Sequence, residues 1–159
     1  MNLRKLQAKD AQHMLEWMHD VSIVQNLNTD FASKTIRDCL SFIEGAQNTK
    51  DNIHLAIVDE NDEYMGTVSL KHIDRTSAEF GIAIRKCAMG KGFSSFGMAK
   101  IIAYGKEQLG LDKIYWCVNP NNARALRFYD KHQYHRIDVP DEAKEYSEEE
   151  KTRFIWYKA

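Results

Sequence analysis

The 159 residues suffice for one domain with a substantial core and are too few for two ordinary ones, so residues 1–159 are expected to form a single domain. Hydrophobic residues make up 43% of the chain and charged residues 28%, with a formal net charge of −1, a balance that argues against a general polyanion binder and against nucleic acid as a partner. The segment from Met1 to Met14 lacks the apolar core of a signal peptide, and no apolar run approaches the roughly 20 residues that span a bilayer, so a cytoplasmic protein without a membrane partner is expected.

Leu3–Leu6 reads as a short first strand. Asp10–Met18 places Met14, Leu15 and Met18 on one helical face, and Ser33 is positioned to cap a second helix in which Ile36, Leu40 and Ile43 recur at helical spacing. Ile53, Leu55 and Ile57 alternate with His54, Ala56 and Val58; a charged turn at Asp59–Glu63 and the strand-like Tyr64–Leu70 complete an antiparallel hairpin. A third strand is expected at Ala78–Ile84. The glycine-containing loop Met89–Gly92 then opens into a helix over Phe93–Leu109, with Phe96, Ala99, Ile102 and Ala103 in period and a stop at Gly110. Lys113–Val118 reads as a strand, Asn121 or Asn122 caps a helix through Lys131, and strands follow near Tyr134–Val139 and Arg153–Tyr157. Asp141–Glu150 is an acidic connection between those last strands. The series β-α-α-β-β-β-α-β-α-β-β predicts a mixed α/β sheet.

Two stretches carry the chemistry. Arg85–Ser94 joins a strand to a helix through Gly90 and Gly92, which flank Lys91. Glycines there let backbone N–H groups approach an anion, and the first turn of the helix adds unpaired donors and the positive end of its dipole. Simple turn chemistry accounts for such glycines equally well, and neither the GxxxxGK[ST] nor the GxGxxG spacing of nucleotide sites is present. In the second stretch, strand Lys113–Val118 runs into Asn119-Pro-Asn-Asn122 and a helix that carries Ala125 and Tyr129.

Together these stretches resemble the GNAT superfamily of acyl-CoA-dependent N-acyltransferases. Its Arg/Gln-x-x-Gly-x-Gly/Ala signature aligns with Met89-Gly-Lys-Gly92-Phe-Ser94, and its later Asn-x-x-Ala/Ser followed by Tyr aligns with Asn122, Ala125 and Tyr129. Met89 stands where the family has Arg or Gln, Ser94 where it has Gly or Ala, and Lys131-His-Gln-Tyr134 replaces Lys-x-Gly-Phe. The element order agrees from about Leu3 to Tyr157, and the implied fold is a central, mostly antiparallel twisted sheet flanked by helices.

The resemblance implies acetyl-CoA as co-substrate, an amine acceptor, and direct attack of the amine on the thioester without a metal. It places Met89, Gly90, Lys91, Gly92, Phe93 and Ser94 on the pyrophosphate, Asn122 on the pantetheine amides, and the backbone of Ile82 and Ile84 on the strand beside the thioester. Tyr129 is the implied acid for the leaving thiolate. A tyrosine packed on the sheet is the rival reading of Tyr129, and an N-cap that of Asn122. Lys131 is a candidate for the CoA phosphates, as is Arg124.

For the base, Glu79 alternates with Phe80, so one of the two points toward the cleft, and His72 is the other candidate. A surface glutamate and a structural histidine are the competing readings. Cys39, Cys87 and Cys117 fit neither a metal motif nor a disulfide framework and are expected as reduced thiols. Trp17, Phe31 and Trp156 are candidates to line the acceptor site or to fill the core, and the acidic run to steer a cationic amine or to be merely solvated. The acceptor itself is open among amino sugars, aminoglycosides and protein N-termini. Edge strands leave a homodimer as an expectation. Two rivals from other classes are a non-catalytic acyl-CoA-binding module and a nucleotide-phosphate binder.

Overall fold

In the computed structural model, which describes residues 1–159, β1 (Asn2–Lys5), β2 (Ile53–Val58), β3 (Tyr64–Lys71) and β4 (Ser77–Ile84) pair in succession, all antiparallel. β5 (Lys113–Val118) joins β4 in parallel; β6 (His135–Ile137) forms the far edge, and β7 (Ile155–Lys158) inserts between it and β5, antiparallel to both. The result is one seven-stranded sheet ordered β1-β2-β3-β4-β5-β7-β6.

Side chains alternate across each strand, and the sheet buries both faces. On one face lie α1 (Ala11–Met18), the single turn α2 (Val21–Val24) and α3 (Ile36–Gly45). Met14, Trp17 and Met18 of α1 share a stripe at helical spacing and meet Cys39 and Ile43 of α3 above Ala56, Val58 and Tyr64 of the sheet. The other face carries α4 (Phe93–Glu107) and α5 (Ala123–Lys131), which cover Val68, Leu70, Phe80, Ile84, Ile114, Trp116 and Val118. No helix is long and apolar enough to cross a membrane.

Several local expectations shift. Thr35, not Ser33, caps α3: its hydroxyl accepts from Asp38 N–H at 3.3 Å while Asp38 Oδ2 accepts from Thr35 N–H at 2.8 Å, a reciprocal box that satisfies two orphan donors. The buried face of α4 is Phe93, Gly97, Met98, Ile101, Ile102 and Gly105, and Ala99 points to solvent. Gly97 permits a close approach, since a Cβ there would meet Ile57 Cδ1 at 2.4 Å. The strand near Tyr134–Val139 keeps three residues, and Arg153 belongs to a helix, α6 (Glu148–Arg153), rather than to the last strand. Ser147 caps α6 through Glu150 N–H at 3.1 Å, so the acidic run is partly helical rather than a bare connection.

Candidate active site

The loop after β4 takes a single 3₁₀ turn at Lys86–Ala88, and Met89 continues it in extended backbone. Gly90 and Gly92 then occupy the left-handed region at φ 75° and 86°, which disfavours any residue with a Cβ. Gly92 is the N-cap of α4 and offers no side chain to its first turn. Consequently the N–H groups of Gly90, Gly92, Phe93, Ser94 and Ser95 find no acceptor within the chain. Buried Phe93 anchors the turn from below, while Lys91 stays exposed above it.

α5 lies across this loop. Arg124 donates from Nη2 to the sulfur of Met89, so a guanidinium stands beside the position where the sequence lacks one. At the other end, Ser95 Oγ and His132 Nε2 lie 3.1 Å apart and tie the first turn of α4 to the C-cap of α5. Lys131 sits exposed in the last turn of α5.

Parallel pairing between β4 and β5 ends after three residue pairs, at Glu79 and Tyr115, and the two strands part beyond that point. Arg85 N–H donates to Met65 C=O at 2.9 Å, and the β3–β4 register is continuous. Alternation along an antiparallel ladder therefore turns the N–H and C=O of Ala83 and Gly81 toward β3, and those of Phe80, Ile82 and Ile84 toward the opening. The Ile84 side chain is buried in the core, so only its backbone faces that way.

A cavity of about 690 Å³ runs through this opening and is lined from both faces of the sheet. On the α5 side it meets Trp116, Val118, Asn119, Asn122, Ala125 and Tyr129. Asn122 caps α5, its Oδ1 accepting from Ala125 N–H at 3.2 Å, and its amide N–H groups have no partner in the chain. Tyr129 is 6% exposed, its ring 5.1 Å from Trp116 and 5.3 Å from Tyr157 between centroids. Burial holds its phenol well above the ordinary value, so it keeps its proton at neutral pH, and its hydroxyl makes no hydrogen bond within the chain.

On the opposite side Trp17 and Phe31 border the cavity, and β-strand residues Thr67, Ser69, Lys71, Glu79 and Cys117 form its polar floor. Trp156 does not reach it: its indole is buried in a separate cluster with Tyr115, Ala143 and Phe154. Glu79 and Phe80 point to opposite faces yet both line the cavity, because it crosses the sheet. Glu79 is only 4% exposed. Tyr146 donates to it, Lys71 Nζ lies 3.5 Å away and His72 Nε2 3.6 Å. His72 itself is exposed at the rim, with a left-handed φ of 50°.

Tyr146 and His54 were not singled out in the sequence. Tyr146 extends from the acidic run and stands edge-on to Trp156, with centroids 5.1 Å apart. His54 Nδ1 lies 2.7 Å from Ser69 Oγ, and burial, followed by the Lys71 charge, lowers its imidazole from 6.5 to about 4. A depressed imidazole favours the folded state above pH 6.5, and that contribution is lost as pH falls toward 4 while the unfolded chain takes up the proton. Urea denaturation is expected to show about 2 kcal/mol of stability lost across that window, allowing for partial exposure, and His54→Gln is expected to remove that part of the slope.

The model of the acetyltransferase (GNAT) domain family matches residues 1–135. The chain belongs to the GNAT acetyltransferase family. This GNAT protein is 30% identical over 132 residues to the uncharacterized N-acetyltransferase p20 of Bacillus licheniformis, a match spanning 80% of this chain and 74% of that relative. Among solved structures it resembles the spermidine N-acetyltransferase of Vibrio cholerae, in complex with CoA and spermine, at a TM-score of 0.76 and 18% identity over 99% of this chain and 92% of that one. Campylobacter jejuni N-acetyltransferase PseH, in complex with acetyl coenzyme A, aligns at a TM-score of 0.68 and 18% identity over 99% and 96% of the two chains. At these identities the two structures speak for the fold alone, and the GNAT fold is the one described above.

Proposed function

We propose that this GNAT chain transfers the acetyl group of acetyl-CoA to a primary amine by direct attack. The observation that carries the reading is the cavity through the β4–β5 opening, which joins a protonated, unpartnered Tyr129 hydroxyl on one side to the buried Glu79 on the other.

Acetyl-CoA brings the thioester whose acyl carbon accepts the amine. The unpaired N–H groups from Gly90 to Ser95 fit its pyrophosphate, with Arg124, which touches Met89, to add positive charge beside Lys91, and Lys131 as a further candidate. Asn122 has free amide donors for the pantetheine arm. The Ile82 N–H, turned toward the opening, suits the carbonyl oxygen as negative charge develops there.

The amine arrives as an ammonium of ordinary pKa about 10.4 and must shed a proton; Glu79 takes it through water. The C–N bond forms, the C–S bond breaks, Tyr129 passes its proton to the departing thiolate, and the second proton lost from the acylated nitrogen restores the phenol. Covalent acyl transfer through a cavity thiol is disfavoured, because burial raises both Cys39 and Cys117, the latter to about 11.

The test is thiol release from acetyl-CoA by the purified protein across primary amines, including amino sugars, aminoglycosides and peptides with free N-termini. Release in step with acetylated amine is expected. Release that is independent of any amine, or acyl-CoA binding with no transfer at all, would leave only a binding module.

A further inference from the structure

Four side chains around the cavity carry formal charge: Lys34, Asp38, Lys71 and Glu79. Their pairing is uneven. Asp38 is committed to the α3 cap, where Oδ2 accepts from both the N–H and the hydroxyl of Thr35 at 2.8 and 3.0 Å. Glu79 is already compensated by Lys71 and Tyr146, with His72 beside it. Lys34, on the connection between α2 and α3, is half-buried, and no carboxylate lies within 4.0 Å of its ammonium. Its charge reaches Asp38 only as the smallest of the influences on that carboxyl.

Neutral hydrogen-bonding groups also line this cavity: Asn26, Asn28, Thr29 and Ser41. His54, the remaining titratable ring there, is held neutral at pH 7. A multiply charged amine needs several free carboxylates along its path; this cavity has two, of which Glu79 is paired with Lys71 and Asp38, still charged, accepts the α3 cap. It also has one cation, Lys34, with no carboxylate within 4.0 Å of its ammonium.

From this juxtaposition we infer that the acceptor is an amine that also carries an acidic group, a carboxylate or a phosphate, bound at Lys34 with the amine directed to Glu79. The inference rests on the acetyl-transfer reading and adds a substrate class to it. The Lys34 ammonium holds the acid, with amide and hydroxyl groups of the same cavity available to it. A polyamine places its extra positive charge against Lys34 and is rejected.

Matched acceptor pairs test this: glucosamine 6-phosphate against glucosamine, and an α-amino acid against its amide, with spermidine as the polycation. The expected result is a kcat/KM higher by about tenfold or more for the acidic member of at least one pair, the scale of one charge-assisted hydrogen bond. Which pair responds separates phosphate from carboxylate. In Lys34→Ala and Lys34→Gln that ratio falls toward one, and Lys34→Glu inverts it. The Lys34 carbonyl, which His19 Nε2 meets at 2.7 Å, is unchanged by these substitutions. Spermidine or the uncharged members performing as well as the acidic ones overturns the inference while leaving acetyl transfer intact. Binding of acetyl-CoA with no amine turned over overturns both.

Discussion

Gly92→Glu is expected to leave the chain folded and to lower its affinity for acetyl-CoA by more than about a hundredfold. The reasoning separates two effects of the side chain. A Cβ at Gly92 would meet nothing nearer than Met1 Cε at 3.7 Å, so the space is open. Holding a non-glycine residue at φ 86° costs roughly 1–2 kcal/mol, which a domain of this size tolerates. The carboxylate, however, stands among the unpaired N–H groups that would face a pyrophosphate. Like charges about 5 Å apart at an effective dielectric near 20 repel by roughly 3 kcal/mol, which is more than a hundredfold in affinity. Gly92→Ala carries the strain without the charge and is expected to bind only a few-fold more weakly. Calorimetric titration with acetyl-CoA, desulfo-CoA and ATP reads the parent protein and both variants. Unchanged affinity in Gly92→Glu would remove the loop from the donor site, and a preference for ATP would favour a nucleotide-phosphate binder.

Tyr129→Phe is expected to produce the second large effect, on turnover rather than on binding. A positioned general acid contributes on the order of 10²–10⁴ in rate, and the phenol is the protonated group beside the donor side of the cavity. The substitution deletes one oxygen that has no hydrogen bond in the chain, while the ring keeps its contacts with Trp116 and Tyr157. Stability and acetyl-CoA affinity should therefore stay close to those of the parent protein. Single-turnover thiol release is expected to slow by at least about a hundredfold. Full activity would return Tyr129 to the packing role that the sequence equally allows.

Much of this arrangement was legible in the residues alone, for identifiable reasons. Apolar spacing, turn residues and caps together located seven strands and the four longer helices, because an element that covers the core must repeat its apolar positions and must start and stop at residues that suit its ends. Gly90 and Gly92 announced a backbone that only glycine adopts easily, and Asn122 its dual character as cap and cavity residue. The α3 cap was missed in favour of Ser33, although Thr35 and Asp38 carry the three-residue spacing of a capping box. Tyr146 and Lys34 were beyond reach for a different reason. Each belongs to a connection whose path is set by tertiary packing, so nothing local states that one meets Glu79 or that the other faces the cavity. Trp156 was left between the acceptor site and the core, and the core reading holds; an aromatic on a strand looks the same from either face, and register alone decides which one it fills.

The parting of β4 from β5 after Glu79 has an evolutionary consequence. Residues proposed to handle the thioester come from the end of β4, α4 and α5, whereas those proposed to meet the amine come from the segment spanning α1 to α3 and from the connection before α6. The two sets lie mainly on opposite faces of the sheet and meet through the opening. Substitutions on the second set can therefore alter which amine is admitted while the first set keeps its geometry. Descendants of such a protein can exchange acceptors through a handful of changes in three short helices and one connection, each intermediate still able to load its donor.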